Sequence, residues 1–142
     1  NGGNNGGNNG GNNGGNNNAA GADPANDLVG YIDSVTKQGS SAVVNGWACH
    51  LGWSGSIDVH LYAGGEAGVG TLLTGATANA ASEPGVAAVC QSSGTAHRFQ
   101  IPISHDQLAA HQGQPVYIHG ISPVGNDNLL IENSGSYTIP AP

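Results

Sequence analysis

Residues 56–62 read SIDVHLY, and apolar and polar side chains alternate along the whole stretch. The apolar positions are Ile57, Val59 and Leu61, and the positions between them are Ser56, Asp58, His60 and Tyr62. Side chains on a strand point alternately to its two faces. The stretch therefore predicts an antiparallel strand with one face in the core and one in water.

Short runs with the same two-residue period fill the chain beyond residue 27, separated by Gly, Pro, Asn and Ser. In HRFQIPI we expect Phe99, Ile101 and Ile103 to face the core, with Pro102 at a sheet edge or a bulge. In AVVNGWACHL, residues 42–51, Trp47 and Cys49 share a parity with Val43, which predicts that indole and sulfur face the core together. Further strands are expected at Leu28–Val35, Gly70–Ala78, Val86–Gln91, Val116–Ser122, Leu129–Glu132 and Tyr137–Ile139.

One segment of this region, SHDQLAAHQG, has helical features. Ser104 is a suitable N-cap, Asp106 lies in the first turn and Gly113 is a suitable end, so we expect one or two helical turns. Seven or eight short strands with one such turn favour an all-β fold, a single antiparallel β-sandwich. This domain is expected to span residues 27–142, after a Gly/Asn-rich arm and junction at residues 1–26.

Charge is scarce, because only 8% of residues are charged and the formal net charge is -7. Lys37 and Arg98 are the two cationic residues of the sequence. Nucleic-acid binding needs several cations to displace phosphate counterions, so we expect no nucleic-acid partner. No apolar run approaches the ~18–20 residues that span a bilayer, so membrane insertion is not expected.

The two cysteines, Cys49 and Cys90, lie in segments interpreted as strands of one domain. An even count in a low-charge, Gly-rich chain favours a disulfide and an oxidising, extracellular setting. Closing a loop of about 40 residues would stabilise the fold by about 3–4 kcal/mol. Two buried free thiols are the alternative.

The first eighteen residues repeat Gly-Gly-Asn-Asn and contain no apolar side chain. Such a tract cannot order itself by burying surface, so it is either a flexible spacer or an assembly arm that adds a strand to a neighbouring subunit. A four-residue period is commensurate with the two-residue repeat of a strand. The arm comprises Asn1, Gly2, Gly3, Asn4, Asn5, Gly6, Gly7, Asn8, Asn9, Gly10, Gly11, Asn12, Asn13, Gly14, Gly15, Asn16, Asn17 and Asn18.

No catalytic constellation is evident, so we predict a protein that is not an enzyme and needs no cofactor. The sequence contains no nucleophile elbow, and the carboxylates considered for glycosidase chemistry, Glu66, Glu83, Asp127 and Glu132, fall in or beside turns, where solvated charges are usual. The six histidines lack metal-ligand spacing, and we expect no metal site among them, although His50 or His119 could join Asp58 and His60 on one face. The histidines are His50, His60, His97, His105, His111 and His119.

Two binding hypotheses follow from other residues of the chain. An exposed Trp53 in a loop, with Tyr62, Asp58 and His60 on a wet strand face, fits carbohydrate binding through an aromatic ring and polar neighbours. The segment PVGNDNLLIEN offers oxygen ligands for calcium, although a polar hairpin turn would look the same. Its oxygen-bearing residues are Asn126, Asp127, Asn128 and Glu132.

The stretch from Gly30 to Pro140 resembles bacterial secreted and surface β-sandwich modules that share a Gly-Trp-Ala strand motif. The matching elements are Gly30-Tyr31-Ile32-Asp33, then Gly46-Trp47-Ala48, then the strand Ile57–Gly64, followed by HRFQIPI and VYIHGIS. The resemblance implies an immunoglobulin-like sandwich outside the cytoplasm. Modules of this kind accompany carbohydrate-active and adhesive proteins, which is an association rather than a mechanism.

Taken together, these features predict an extracellular or cell-surface structural protein. We expect it to self-associate as a homo-oligomer or filament, or to build a surface matrix, with its arm contacting neighbouring subunits. A carbohydrate-binding module on a flexible linker, with a polysaccharide partner, is the alternative. A calcium-stabilised adhesin domain is a third hypothesis.

Overall fold

A computed structural model describes residues 27–142, which contain eight strands and two short helices. The arm and junction at residues 1–26 lie outside the described residues. The strands are β1 (Leu28–Gln38), β2 (Ser41–His50), β3 (Asp58–Ala63), β4 (Thr71–Thr77), β5 (Ala80–Ala81), β6 (Ala96–Ile103), β7 (Val116–Gly120) and β8 (Leu129–Leu130). The helices are α1 (Pro84–Cys90) and α2 (His105–His111).

The strands form two four-stranded antiparallel sheets, which confirms the predicted all-β character. Sheet A has the order β1-β2-β6-β5 and sheet B the order β4-β3-β7-β8. The immunoglobulin-like arrangement of the strands stays a prediction. The strand expected at Tyr137–Ile139 is an isolated bridge between Pro115 and Thr138, and the two-residue β5 was not predicted.

A main core lies between the two sheets and takes residues from both. Predicted core residues Ile57, Val59, Leu61, Phe99 and Ile101 are all at most 2% exposed and belong to it. Ile103, Val44 and Ile118 extend it. Gly46 has to be a glycine here, because a Cβ at this position would lie 2.3 Å from the Tyr31 carbonyl oxygen and 2.5 Å from Phe99 Cζ. The alternating pattern therefore identified the buried face of β3 and β6 correctly.

Trp47 and Cys49 share one face of β2, as expected, but that face points away from the main core. Residues of the other parity, Val44 and Ala48, lie in the main core instead. Trp47 and Cys49 belong to a second, smaller cluster beneath α1, together with Val29, Val86 and Cys90. Sheet A is thus covered on both faces, and parity alone does not tell which face meets sheet B.

The predicted disulfide is confirmed, since Cys49 is bonded to Cys90. The expectation that Cys90 lies in a strand at Val86–Gln91 is wrong, because this segment belongs to α1. Pro84 stands in the first turn, where its fixed φ suits a helix. Val86 and Cys90, four residues apart, face the second cluster, and Gln91 ends the helix in a left-handed conformation at φ 54°. A short apolar run such as VAAVC fits either period, and here the helical one prevails.

Helix α2 agrees with its prediction. The Ser104 hydroxyl accepts from the Gln107 amide, and the Gln107 side chain accepts from the Ser104 amide, which completes a capping box. Leu108 is buried in the main core. The helix ends at His111, and Gly113 follows with φ 83°.

At Pro102, strand β6 pairs with another strand on one side only. It faces Val43 of β2, whereas β5 pairs with β6 only at Ala96 and Arg98. A proline, which lacks an amide donor, is tolerated at such an edge position, as predicted.

Candidate functional site

Three of the four predicted carbohydrate-binding residues lie on the outer face of sheet B. Asp58 is exposed, and His60 and Tyr62 are half-buried, in alternation with the buried residues of β3. The Thr77 hydroxyl of β4 donates to Asp58 Oδ1 at 2.8 Å. The carboxylate is therefore held at one end of this face by the neighbouring strand.

His119 of β7 joins the same face, as one of the two histidines considered for it. It is the cross-strand partner of His60, and its ring meets the Tyr62 ring edge to face at 5.3 Å. Its Nε2 accepts a hydrogen bond from the Ala67 amide at 3.0 Å. Burial lowers the pKa of His119; the charge of Glu66 opposes this shift in part, and the neighbouring His60 adds a smaller lowering. The neutral imidazole accordingly fastens the loop of residues 64–70 onto this face.

Trp53 lies elsewhere, in a groove of about 300 Å³ at the end of the molecule where β2 stops. The groove is lined by His50, Leu51, Gly52, Trp53, Pro123 and Val124. The Trp53 side chain is 42% exposed, and its ring meets that of His50 edge to face at 6.3 Å. Since Asp58, His60 and Tyr62 do not line this groove, the structure divides the predicted set of four into two places.

Backbone hydrogen bonds hold the first wall of the groove. The Gly52 amide donates to the carbonyl of Cys90 at 2.8 Å, and the Leu51 amide donates to the carbonyl of Asp27 at 2.7 Å. The Trp53 amide donates to the His50 carbonyl at 3.1 Å, which closes a turn. This wall is consequently anchored next to the disulfide.

The second wall is the loop that follows β7. The hydroxyl of Ser122, a buried residue, accepts from the amides of Val124 at 3.2 Å and Asn126 at 3.1 Å. These bonds fix Pro123 and Val124 opposite Trp53. Sequence reasoning missed this wall, because it is about 70 residues away from Trp53 and no local pattern connects the two segments.

Strand β4 forms an open edge of sheet B. Among the described residues no strand pairs with its outer side, and its sequence TLLTGAT contains no charged residue and no proline. Leu72 is 52% exposed, and Val69 just before the strand is 80% exposed. In the sequence, the open edge of β4 is marked only by the absence of charged residues. Because charged residues are scarce throughout the chain, this feature did not distinguish β4 from other segments.

Arg98 organises the outer face of sheet A. Its guanidinium binds both carboxylate oxygens of Glu83, at 2.6 and 2.5 Å, and Asp33 Oδ2 at 2.7 Å. The hydrogen bonds from Arg98 lower the pKa of Glu83 to about 2, with a smaller contribution from a backbone hydrogen bond. Sequence analysis placed Glu83 among the solvated turn charges, and the structure shows it instead at the start of α1, joined to β6.

His97 is fully buried and was not singled out in the sequence. Ser92 Oγ accepts from the Gly94 amide at 2.8 Å, so its own proton is available to His97 Nε2 at 3.1 Å. Within residues 27–142, His97 Nδ1 has no hydrogen-bond partner. Burial lowers the pKa of His97, and its bond to Ser92 connects β6 to the segment that follows α1. Its parity with Phe99 and Ile101 was the available signal.

The predicted calcium ligands fall on the loop before β8 and on the segment after it. The backbone of Glu132 bonds to β1, where its carbonyl accepts from Ile32 and its amide donates to Gly30. Between Asp27 and Pro142 no three or more His, Cys, Asp or Glu side chains converge as a metal site would require. Calcium binding by Asn126, Asp127, Asn128 and Glu132 stays a prediction.

Comparison with known proteins yields no relatives: the chain matches no protein-family model, no curated protein and no solved structure. Neither helix in the described part of the chain is long and apolar enough to cross a membrane. The geometry of this chain therefore carries the functional argument.

Proposed function

We propose that the protein is a non-catalytic extracellular structural protein that associates with further copies of itself through the open edge of β4. In this proposal an immunoglobulin-like β-sandwich is the repeating unit of a filament or surface matrix. The observation that carries the proposal is a seven-residue edge strand without charge or proline. An unpaired edge of this kind is a template for pairing with another strand.

The other edges of the two sheets are each protected at least in part, and the contrast favours β4. On β1, the backbone of Glu132 occupies the positions beside Gly30 and Ile32, and Lys37 places a charge near the far end. The remaining edge strands, β5 and β8, are two residues long. Natural proteins use charges, coverage and shortness to prevent edge pairing.

The first half of β4 is partly protected against pairing with another strand. Leu73 is an extra residue between the pairs Leu61–Thr74 and Tyr62–Leu72, and its carbonyl accepts from Gln107 Nε2 of α2 at 3.2 Å. The following residues, 74–77, pair regularly with β3 and have no such cover among the described residues. An added strand would pair with this regular half, while exposed Leu72 and Val69 supply apolar contact.

The Gly/Asn repeat of residues 1–18 is the strand we propose for this edge on a neighbouring copy. Seven residues of β4 span about 23 Å, and eighteen extended residues would reach about 60 Å, so the repeat is long enough. Glycine permits close backbone approach, and main-chain hydrogen bonds would supply most of the affinity.

Two charge-matched double variants test this proposal. Val69→Lys with Leu72→Lys places two cations at the β4 edge, and Val89→Lys with Val124→Lys places the same charges at other exposed apolar positions. Sedimentation velocity and electron microscopy would compare them with the full chain and with a chain lacking residues 1–22. We expect concentration-dependent assembly of the full chain and of the Val89/Val124 variant only.

Two results would contradict the proposal. One is a full chain that stays monomeric at every concentration tested. The other is equal assembly of the full chain and the Val69/Leu72 variant.

A further inference from the structure

We infer that the groove at Trp53 binds a neutral carbohydrate, with one sugar ring stacked on the indole. The two tryptophans differ sharply, because Trp47 is 8% exposed and packs beneath α1 while Trp53 is 42% exposed at the groove. An indole that remains this accessible offers a large, rigid apolar surface. A volume of about 300 Å³ lies at the lower end of the range for small-molecule sites.

The exposed indole of Trp53 packs against the backbone of a glycine, Gly55. A Cβ at Gly55 would lie 2.6 Å from both Cη2 and Cζ2 of Trp53, so the six-membered ring rests directly on Gly55. The adjoining turn is tied to Cys90, and the opposite wall is tied to Ser122. Since both walls and the ring are fixed by the fold, binding would cost little ordering of the protein.

His50 supplies a hydrogen-bond acceptor beside the indole. Its Nδ1 lies 3.1 Å from the Leu51 carbonyl oxygen, which can only accept, so Nδ1 carries the proton. In the neutral ring, Nε2 then has a free lone pair that accepts a hydrogen bond. An acceptor beside an aromatic ring is what a sugar hydroxyl requires.

The chemistry of the lining disfavours ionic ligands. The six lining residues include no carboxylate, lysine or arginine, so a charged ligand would be desolvated without a partner. The net charge of -7 further disfavours anions. A pyranose ring meets these conditions, because it is neutral, has an apolar C–H face and carries hydroxyls at its rim.

The experiment uses the full chain labelled with ¹⁵N and four neutral hexasaccharides, those of β-1,4-glucose, β-1,4-xylose, β-1,4-mannose and β-1,4-N-acetylglucosamine. At about 10 mM sugar, a site of millimolar affinity is nearly filled. We expect at least one sugar to shift the indole N–H signal of Trp53 and to leave that of Trp47 in place.

Variants then separate the groove from the rest of the surface. Trp53→Ala should lower the affinity about tenfold or more, since tenfold corresponds to about 1.4 kcal/mol, within the range of one aromatic contact. Val124→Asp, at a 65% exposed position, should weaken binding without disturbing the fold. Val89→Asp, at a 38% exposed position of α1 outside the groove lining, is the matched control and should bind normally.

The inference fails if none of the four sugars shifts the Trp53 signal, or if Trp53→Ala and Val124→Asp bind as tightly as the native chain. A shift produced by a proline-rich peptide and by no sugar would equally overturn it. These outcomes are independent of β4, because neither Val69 nor Leu72 lines the groove.

Discussion

Removing the disulfide should destabilise the fold strongly, and the effect can be worked from the structure. The double variant Cys49→Ala with Cys90→Ala deletes the bond and leaves no free thiol. The bond joins β2 to the last residue of α1 across 41 positions of sequence. A helix of seven residues is not stable alone, so α1 depends on this anchor and on Val86 beneath it.

The expected loss is about 4 kcal/mol in the free energy of unfolding. It comes from the chain entropy that a 41-residue loop regains in the unfolded state when its ends are released. Domains of this size have about 5–15 kcal/mol of stability in total, so the variant would lose a large fraction of it. With a urea m-value of about 1.5 kcal/mol/M, the midpoint should fall by roughly 2–3 M.

Urea titration followed by circular dichroism would measure this loss. Val86→Ala is the matched control, since it lies in the same buried cluster and should cost about 1–2.5 kcal/mol through lost apolar burial alone. A double cysteine variant that loses less than about 1 kcal/mol, or no more than Val86→Ala, would refute the reasoning that the bond is the main anchor of α1.

Three further predictions concern a pair of glycines, the contact between Glu83 and Arg98, and His119. Gly46→Ala should destabilise the fold by about 1–3 kcal/mol, because the added Cβ meets the Tyr31 carbonyl and Phe99. Gly85→Ala in α1, where no atom lies within 4 Å of the new Cβ, should instead stabilise it by about 0.4–1 kcal/mol; equal shifts in thermal melting would contradict this pair. The pKa of Glu83 is lowered to about 2 from an ordinary 4.5, so its stabilising effect is complete above about pH 4.5 and disappears as the pH falls toward 2. Glu83→Gln should therefore flatten the acid dependence of unfolding over this interval, and an unchanged slope in urea titrations would count against the Arg98 contact. The pKa of His119 is lower in the folded chain than in the unfolded chain. As the pH falls below about 6.5, the unfolded chain is therefore protonated at His119 before the folded chain is, and the free energy of unfolding decreases. His119→Ala should speed hydrogen exchange at the Ala67 amide, and an equally slow exchange would show that the imidazole does not hold this loop.

Much of the fold could be predicted from periodicity, and the failures have identifiable physical causes. The buried face of Ile57, Val59 and Leu61 was correct because that strand has one wet face. Val86–Gln91 failed because a run of five small apolar residues fits a strand and a helix equally well. Trp47 and Cys49 are buried together as predicted, but in the second cluster, because sheet A is buried on both sides and alternation there separates two apolar clusters.

The candidate sites were harder to predict, because they depend on contacts between distant segments. Trp53 was correctly placed in a loop and exposed, but its partners Pro123 and Val124 come from the loop after β7. Tyr62 and His60 were correctly placed on the outer face of β3, yet both are half-buried there, and the His119 ring packs against Tyr62. The open edge of β4 depends on sheet order, and no local pattern reveals which strand is last.

Hydrogen exchange of the β4 amides tests the proposed self-association most directly. The full chain would be compared in dilute and in assembled samples, with the exposed positions of β1 beyond residue 34 as an internal reference edge. The proposal predicts that those amides of residues 74–77 that do not already bond to β3 become protected on assembly, and that deletion of residues 1–22 prevents this protection. Assembly that leaves exchange at residues 74–77 unchanged would contradict it.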